Sequence, residues 1–256
     1  MIPWPLAEVL AARKAQWQNA HEQLDLAIAQ QYGIYHDDTA VEATGVRGIL
    51  QMFLFAPDDA THVEQLLTLA GFPRGAHILD CGCGTGEMDA LIRQHRPDLR
   101  LTLLNKSMAQ LRCCPREQRI AGDMQWLPFA DATFDAMLLC YTLGYGPIDT
   151  VFSEAACVVK PGGQLVLADM VCVAANQETG AEAILLLLGY KCYGGTRIDT
   201  VAAQYGFELV QRSTPTYLHP AVVHLWTEQE REILFHDIWP DVLVFQRKGN
   251  LSVVVQ

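Results

Sequence analysis

One stretch, Ile78-Leu79-Asp80-Cys81-Gly82-Cys83-Gly84-Thr85-Gly86-Glu87-Met88, combines residue types that can hold a small ligand. An apolar run passes into D-x-G-x-G-x-G and then into a helix-forming segment. Gly82 and Gly84 let the backbone turn tightly and come close to a ligand, and Gly86 permits close packing where the helix starts. The first turn of that helix presents N–H groups without intrahelical partners. A pyrophosphate-binding turn would space its glycines G-x-G-x-x-G. Here they fall at every second position, with an acid two residues before the first. Asp80 would repel pyrophosphate, but it suits a cationic amino-acid group.

Other groups with chemical potential gather in a few segments. Tyr32, Tyr35 and His36 end the first helical stretch, and Tyr141 and Tyr145 follow an apolar run at Phe134 to Cys140. Tyr190 and Tyr193 follow a leucine run, and Tyr217, His219, His224 and Trp226 lie late in the chain. Aromatic faces stabilise cations, and a histidine can take a proton. Arg47, Lys191 and Arg197, with Gly194-Gly195-Thr196 beside them, are the candidate donors to a small anion. His36-Asp37-Asp38 reads as an exposed helix-end turn, and no metal site is assigned.

The elements that must position these groups follow from periodicity. From Leu6, the residues Val9, Leu10, Trp17, Leu24 and Ile28 recur at helical spacing, and the helix they form ends near Gly33. Further helices are predicted around Val46 to Phe55 and from Thr61 to Leu69, the latter opened by a capping box and stopped by Gly71 and Pro73. Residues 1–75 are therefore expected to form a helical cap. From Ala76 the pattern changes to short apolar runs separated by helical stretches: His77 to Asp80, Leu101 to Asn105, Gln118 to Ala121, Phe134 to Cys140 and Gln164 to Met170. That alternation predicts an α/β domain over 76–256, with a parallel sheet covered by helices on both faces. Two later strands are predicted at Phe207 to Arg212 and Val242 to Arg247, with an insertion at 213–240 between them.

The glycine loop in this setting resembles the class I S-adenosylmethionine-dependent methyltransferases, and further stations agree in order. Ala121-Gly122-Asp123-Met124 with Leu127-Pro128-Phe129 is similar to the family's G-D-x-x-x-L-P-F. Val158-Val159-Lys160-Pro161-Gly162-Gly163-Gln164-Leu165 is similar to its L-K-P-G-G-x-L turn before the fifth strand. The resemblance implies a Rossmann-like, mostly parallel seven-stranded sheet with an antiparallel last strand, and S-adenosylmethionine as cofactor. It implies cofactor contacts at Asp80, Gly82, Gly84, Gly86, Asn105, Lys106, Gln110, Gly122, Asp123, Met124 and Cys140. Asp123 would accept from the adenine amino group. Asn105 stands where the family usually has a ribose-binding acid, and its amide can still pair with a hydroxyl.

Methyl transfer from a sulfonium is an in-line displacement, so the protein mainly positions the acceptor and excludes water. A narrower resemblance, to C-methyltransferases of isoprenyl diphosphates and related terpenoids, rests on Tyr145, on Phe152-Ser153-Glu154 and on Lys160-Pro161-Gly162-Gly163. It departs at Tyr141, which stands where that branch has a glutamate able to take a proton. On this basis Tyr145, Tyr141 and His219 are the catalytic candidates. Tyr32, Tyr35, Arg47, Tyr190, Lys191 and Arg197 are the candidates for contacting a small, apolar acceptor, and Mg²⁺ is expected only if that acceptor is a diphosphate. Two other readings stay open: O- or N-methylation of a small natural product, and a cyclase or isomerase that uses S-adenosylmethionine structurally.

Charge and composition limit the partners. The 256 residues carry 29 acids against 18 bases, a net of -11. The first 75 residues hold nine acids and four bases, so the segment expected to cover the site is the most acidic. Nucleic acids and anionic membranes are disfavoured, while a small anion held by a few local donors is not. The eight cysteines lack C-x-x-C spacing and are expected to be reduced and buried. No basic leader precedes an apolar core at the N-terminus, and the longest aliphatic run, Ile184 to Leu188, is too short to span a bilayer. A cytoplasmic protein is expected, and its oligomeric state is left open.

Overall fold

The computed structural model describes residues 59–116, 118–172, 190–214 and 238–249. Their elements in chain order are α1 (Asp59–Ala70), β1 (His77–Cys81), α2 (Glu87–His95), β2 (Arg100–Asn105), α3 (Met108–Leu111) and β3 (Arg119–Ala121). β4 (Phe134–Cys140), a 3₁₀ turn (Leu143–Tyr145), α4 (Ile148–Val158) and β5 (Val159–Cys172) follow. β6 (Tyr193–Gly194), α5 (Gly195–Gln204), β7 (Phe207–Ser213) and β8 (Ile238–Arg247) complete the described residues. The strands form one sheet in the order β3-β2-β1-β4-β5-β8-β7, and the short β6 pairs with the end of β5. β8 runs antiparallel to both of its neighbours, and the other pairings are parallel.

The strands read as unbroken apolar runs because both faces of the sheet are covered. On one face Ile78, Leu101, Leu103, Ala136, Leu138, Val166 and Ala168 meet Val63, Leu66 and Leu67 of α1 and Ile92 of α2. On the other face Leu79, Leu104, Met137, Leu139, Leu165 and Leu167 meet Val151, Phe152 and Ala155 of α4 and Ile198, Val201 and Ala202 of α5. α1 falls on the cap side of the boundary expected at residue 75, yet it packs in the core beside α2. The helices expected before residue 59 and the leucine run lie outside the described residues.

Two details differ from the pattern-based expectation. The described residues hold eight strands, the additional one being the two-residue β6. β5 begins at Val159 and not at Gln164, because Lys160-Pro161-Gly162-Gly163 forms an irregularity within the strand: Phe134 pairs with Val159 and Ala136 with Gln164. Gly163 lies so close to β4 that a Cβ there would stand 2.7 Å from the Asp135 carbonyl oxygen. Lys160 Nζ secures the same corner through an ion pair of 2.6 Å to Asp135.

At the far end of β5, Cys172 pairs with Gly194 of β6 on one side and with Ile238 of β8 on the other. Among the described residues no helix is long and apolar enough to cross a membrane, which says nothing about β-barrels.

Candidate active site

The carboxyl ends of β1, β2, β3, β4 and β5 share one edge of the sheet, where ligands of open α/β sheets bind. The glycine loop leaves β1 there and is fastened to β2 by the N–H groups of Gly82 and Cys83, which donate to the Leu104 carbonyl at 2.7 and 3.1 Å. Its glycines have different reasons. Gly82, Gly84 and Gly86 all have positive φ, at +91°, +58° and +76°. A Cβ on Gly82 would stand 2.1 Å from Thr142 Cγ2, and one on Gly86 2.8 Å from Cys114 Sγ. A Cβ on Gly84 would meet nothing within 4 Å, so this glycine faces open space, as the cradle of a ligand requires. α2 starts directly behind the loop with no side-chain cap on its N-terminus.

Asp80 sits beneath this loop, 2% exposed, with Asp89 of α2 fully buried opposite it. Burial pushes both carboxyls above the ordinary range, and for Asp80 the neighbouring Asp89 charge adds to it. Asp80 Oδ1 and both Asp89 oxygens have no hydrogen-bond partner among the described residues. Two buried carboxyls so placed share a proton or receive a cation.

At the end of β2, Asn105 Nδ2 donates to the Gly84 carbonyl at 3.3 Å and to Gln110 Oε1. Asn105 Oδ1 accepts from the Lys106 N–H at 2.9 Å. Both amide hydrogens are thus engaged, and Oδ1 keeps one lone pair for a hydroxyl. Asp123, after β3, accepts from the Gln125 N–H at 3.0 Å and from Lys106 Nζ at 3.0 Å. Burial raises its pKa, and these two donors outweigh burial and hold the carboxylate below its ordinary value. Gly122 packs on Leu104, and Met124 lies against Gly146 beyond the turn after β4.

Half-buried Cys140 ends β4, its thiol pushed up by burial and by the charges of Asp80 and Asp169. Tyr141 follows with φ +51°, a left-handed conformation uncommon for an aromatic residue, and is 8% exposed. Burial pushes its phenol far above the neutral range. Tyr145 is 45% exposed, with its ring edge-to-face against Tyr190 at 4.8 Å. Tyr190 is 2% exposed, and its hydroxyl donates to Asp169 Oδ1 at 2.5 Å, so it stands behind Tyr145.

Lys191 donates its backbone N–H to the Gly144 carbonyl at 3.2 Å and holds Nζ over the Tyr193 ring at 5.0 Å. Arg197 is paired with Asp149, in the first turn of α4, at 2.6 Å. Tyr32, Tyr35, Arg47 and His219 lie outside the described residues. Thr142, Asp89 and Asp169 were not among the sequence candidates. A carboxylate inside the apolar run Leu165-Val166-Leu167-Ala168-Asp169-Met170-Val171 was the available signal for the last of them.

The comparisons with known proteins agree with this geometry. Residues 79–167 match the model of the family described as "Methyltransferase domain". Over 123 residues the chain is 31% identical to malonyl-(acyl-carrier protein) O-methyltransferase of Dechloromonas aromatica, covering 44% of this chain and 45% of that protein. Over 119 residues it is 31% identical to sterol 4-C-methyltransferase of Caenorhabditis elegans, covering 43% of this chain and 35% of that protein. The chain thus spans less than half the length of these curated relatives. Its fold superposes on geranyl diphosphate C-methyltransferase from Streptomyces coelicolor A3(2) with TM-score 0.65 and 16% identity, over 73% of this chain and 79% of that one. Residues 79–167 thus match a methyltransferase domain, and the described fold is one shared with S-adenosylmethionine-dependent methyltransferases of class I. Within that class the similar proteins act on different acceptors, so the acceptor is not determined by similarity.

Proposed function

We propose that this protein transfers the methyl group of S-adenosylmethionine to carbon of a small, apolar acceptor, an isoprenyl diphosphate or another terpenoid alkene. The observation that carries the reading is the exposed Tyr145 ring on the same sheet edge as the open glycine loop, with the buried phenols of Tyr141 and Tyr190 beside it. Bound S-adenosylmethionine supplies an electrophilic methyl group. Gly82 and Gly84 cradle its amino-acid end above the Asp80–Asp89 pair, Asn105 Oδ1 accepts from a ribose hydroxyl, and Asp123 accepts from the adenine amino group beside Met124. Tyr145 then presents its ring to the cationic carbon that an alkene becomes on methylation.

The likeness in fold to a geranyl diphosphate C-methyltransferase and the sequence likeness to a sterol C-methyltransferase support carbon as acceptor atom. Lys191 is the candidate donor to a diphosphate, with Mg²⁺ as its counter-ion. Arg197 would join by exchanging Asp149 for the diphosphate. In this reading the residues N-terminal to α1 cover the site and supply Tyr32, Tyr35 and Arg47, while His219 takes the departing proton. The net charge of -11 disfavours nucleic acid as partner, and the eight free thiols support action in the cytoplasm.

The second reading is O-methylation of a small acid or phenol, favoured by the likeness to the malonyl-carrier O-methyltransferase. Mass spectrometry of reactions with S-adenosylmethionine and a panel of isoprenyl diphosphates, phenols, amines and carboxylates separates the two. The expected result is one added methyl on an alkenyl diphosphate with equimolar S-adenosylhomocysteine. Methyl gain on oxygen or nitrogen acceptors alone overturns the first reading.

A further inference from the structure

The turn after β4 lies between the cofactor loop and the buried Tyr190. On one side, the Thr142 side chain lies across Gly82 of the cofactor loop and donates from Oγ1 to the Cys81 carbonyl at 3.1 Å. On the other side, Gly144 is in contact with Tyr190: a Cβ on this glycine would stand 2.4 Å from the Tyr190 ring. The group that joins the two is Asp169, 2% exposed in β5. Its Oδ2 accepts from the Leu143 N–H at 3.2 Å, inside the turn, and its Oδ1 accepts from the Tyr190 hydroxyl at 2.5 Å and from the Met170 N–H at 2.7 Å. The backbone closes the same unit, since the Lys191 N–H donates to the Gly144 carbonyl at 3.2 Å.

A carboxylate in a hydrophobic sheet is costly, and apolar residues of similar volume would pack there at no such cost. Here the cost goes into holding the turn. The 3₁₀ turn has no side-chain cap at Thr142, and Tyr141 just before it is held at a positive φ that the surroundings must enforce. The turn carries Tyr145 on its last residue and Thr142 on its edge, so its position sets the gap between the aromatic wall and the glycine loop. Asp169 is too deeply buried to touch an acceptor.

We propose that Asp169 and Tyr190 form a positioning pair that fixes the Thr142–Tyr145 turn against the Gly82 loop, and thereby sets where the methyl donor stands relative to the acceptor wall. The pair acts through the turn and takes no part in bond-making. This rests on the S-adenosylmethionine reading of the site and is independent of the acceptor's identity.

Tyr190→Phe is the decisive variant, because it removes one hydroxyl and keeps the ring that packs on Gly144; Asp169→Asn is its companion. Hydrogen exchange read by mass spectrometry is expected to rise about tenfold in peptides covering 141–146 and 82–86, and to stay unchanged in the β2 peptide. Titration with S-adenosylmethionine is expected to show affinity weakened about tenfold. Phe152→Leu, in the opposite core layer, is expected to lower the melting temperature without either effect, which separates positioning from general stability. Unchanged exchange in both segments of Tyr190→Phe, or an affinity within about twofold of the parent protein, overturns the proposal. If the parent protein itself binds no S-adenosylmethionine while exchange responds as expected, the positioning pair stands and the cofactor reading falls.

Discussion

Thr142 lies directly across Gly82: a Cβ on that glycine would stand 2.1 Å from Thr142 Cγ2, closer than real Cβ contacts come. The first glycine of the loop is therefore needed by the fold of the β4 turn as well as by any ligand, whereas Gly84 faces open space. Gly82→Ala should lower stability by at least about 2 kcal/mol through clash and left-handed strain, and Gly84→Ala by about 1 kcal/mol through strain alone. Both should lose S-adenosylmethionine binding. Thermal melts and calorimetric titration read the two effects separately, and equal melting losses would contradict the distinction.

Asp123 and Lys106 are joined at 3.0 Å, but the lysine side chain is 81% exposed and the carboxylate 20%. An exposed partner contributes little. Lys106→Ala should leave cofactor affinity within about threefold, while Asp123→Ala should weaken it at least tenfold, at about the cost of a hydrogen bond to a charged group. Isothermal titration decides. A large loss in Lys106→Ala would mean that the lysine holds the cofactor itself.

Burial raises Asp169 to about 7, although Tyr190, Met170, Leu143 and Thr142 donate to it. An unfolded aspartate titrates near about 4. Between these values the folded protein binds more protons than the unfolded chain, so this group makes stability fall as pH rises through that window. Asp169→Asn has no such group. The melting temperature of the variant relative to the parent should therefore rise between about pH 5 and about pH 8. A difference that stays flat over this range would show that Asp169 is ionised throughout.

If Tyr145 offers its ring to a carbocation, the hydroxyl is dispensable. Tyr145→Phe should keep turnover within about threefold, and Tyr145→Ala should lose about tenfold or more, the scale of a desolvated cation–π contact. Initial rates with an isoprenyl diphosphate test this. The opposite ranking would point to the phenol as an acid or base.

The cysteines were expected to be buried, and not all are. Cys113 and Cys157 are exposed, while Cys81, Cys114 and Cys192 are buried. Iodoacetamide should label Cys113 and Cys157 first, as seen by peptide mass mapping. Labelling of Cys81 in the native state would contradict its burial.

How much was legible follows from which signals are local. β1, β2 and β4 could be read to within a residue because each is covered on both faces and therefore unbroken in its apolar character. Gly84 and Asp123 stand out as candidates in the sequence because a glycine turn and an acid occur at a fixed spacing from the strand ends. The start of β5 could not, since Lys-Pro-Gly-Gly spells a turn and only the register with β4 reveals a strand that passes through it. The burial of Tyr190 was equally hidden. A tyrosine after a leucine run looks like a wall residue, and its pairing with Asp169 depends on chain segments brought together by the sheet. Tyr141 kept its place beside the site but lost its access to it.

Cys172 ends β5 between Gly194 and Ile238, so the chain leaves this point and comes back to it twice, once before β6 and once, by way of β7, at the start of β8. The connections 173–189 and 215–237 are therefore rooted at neighbouring stems on the active edge. Both stems are held in place by the register of β5 with β6 and β8. On the proposed function the sheet is a socket, whose two neighbouring stems lie at the acceptor side while the donor half is built from β1, β2 and β3.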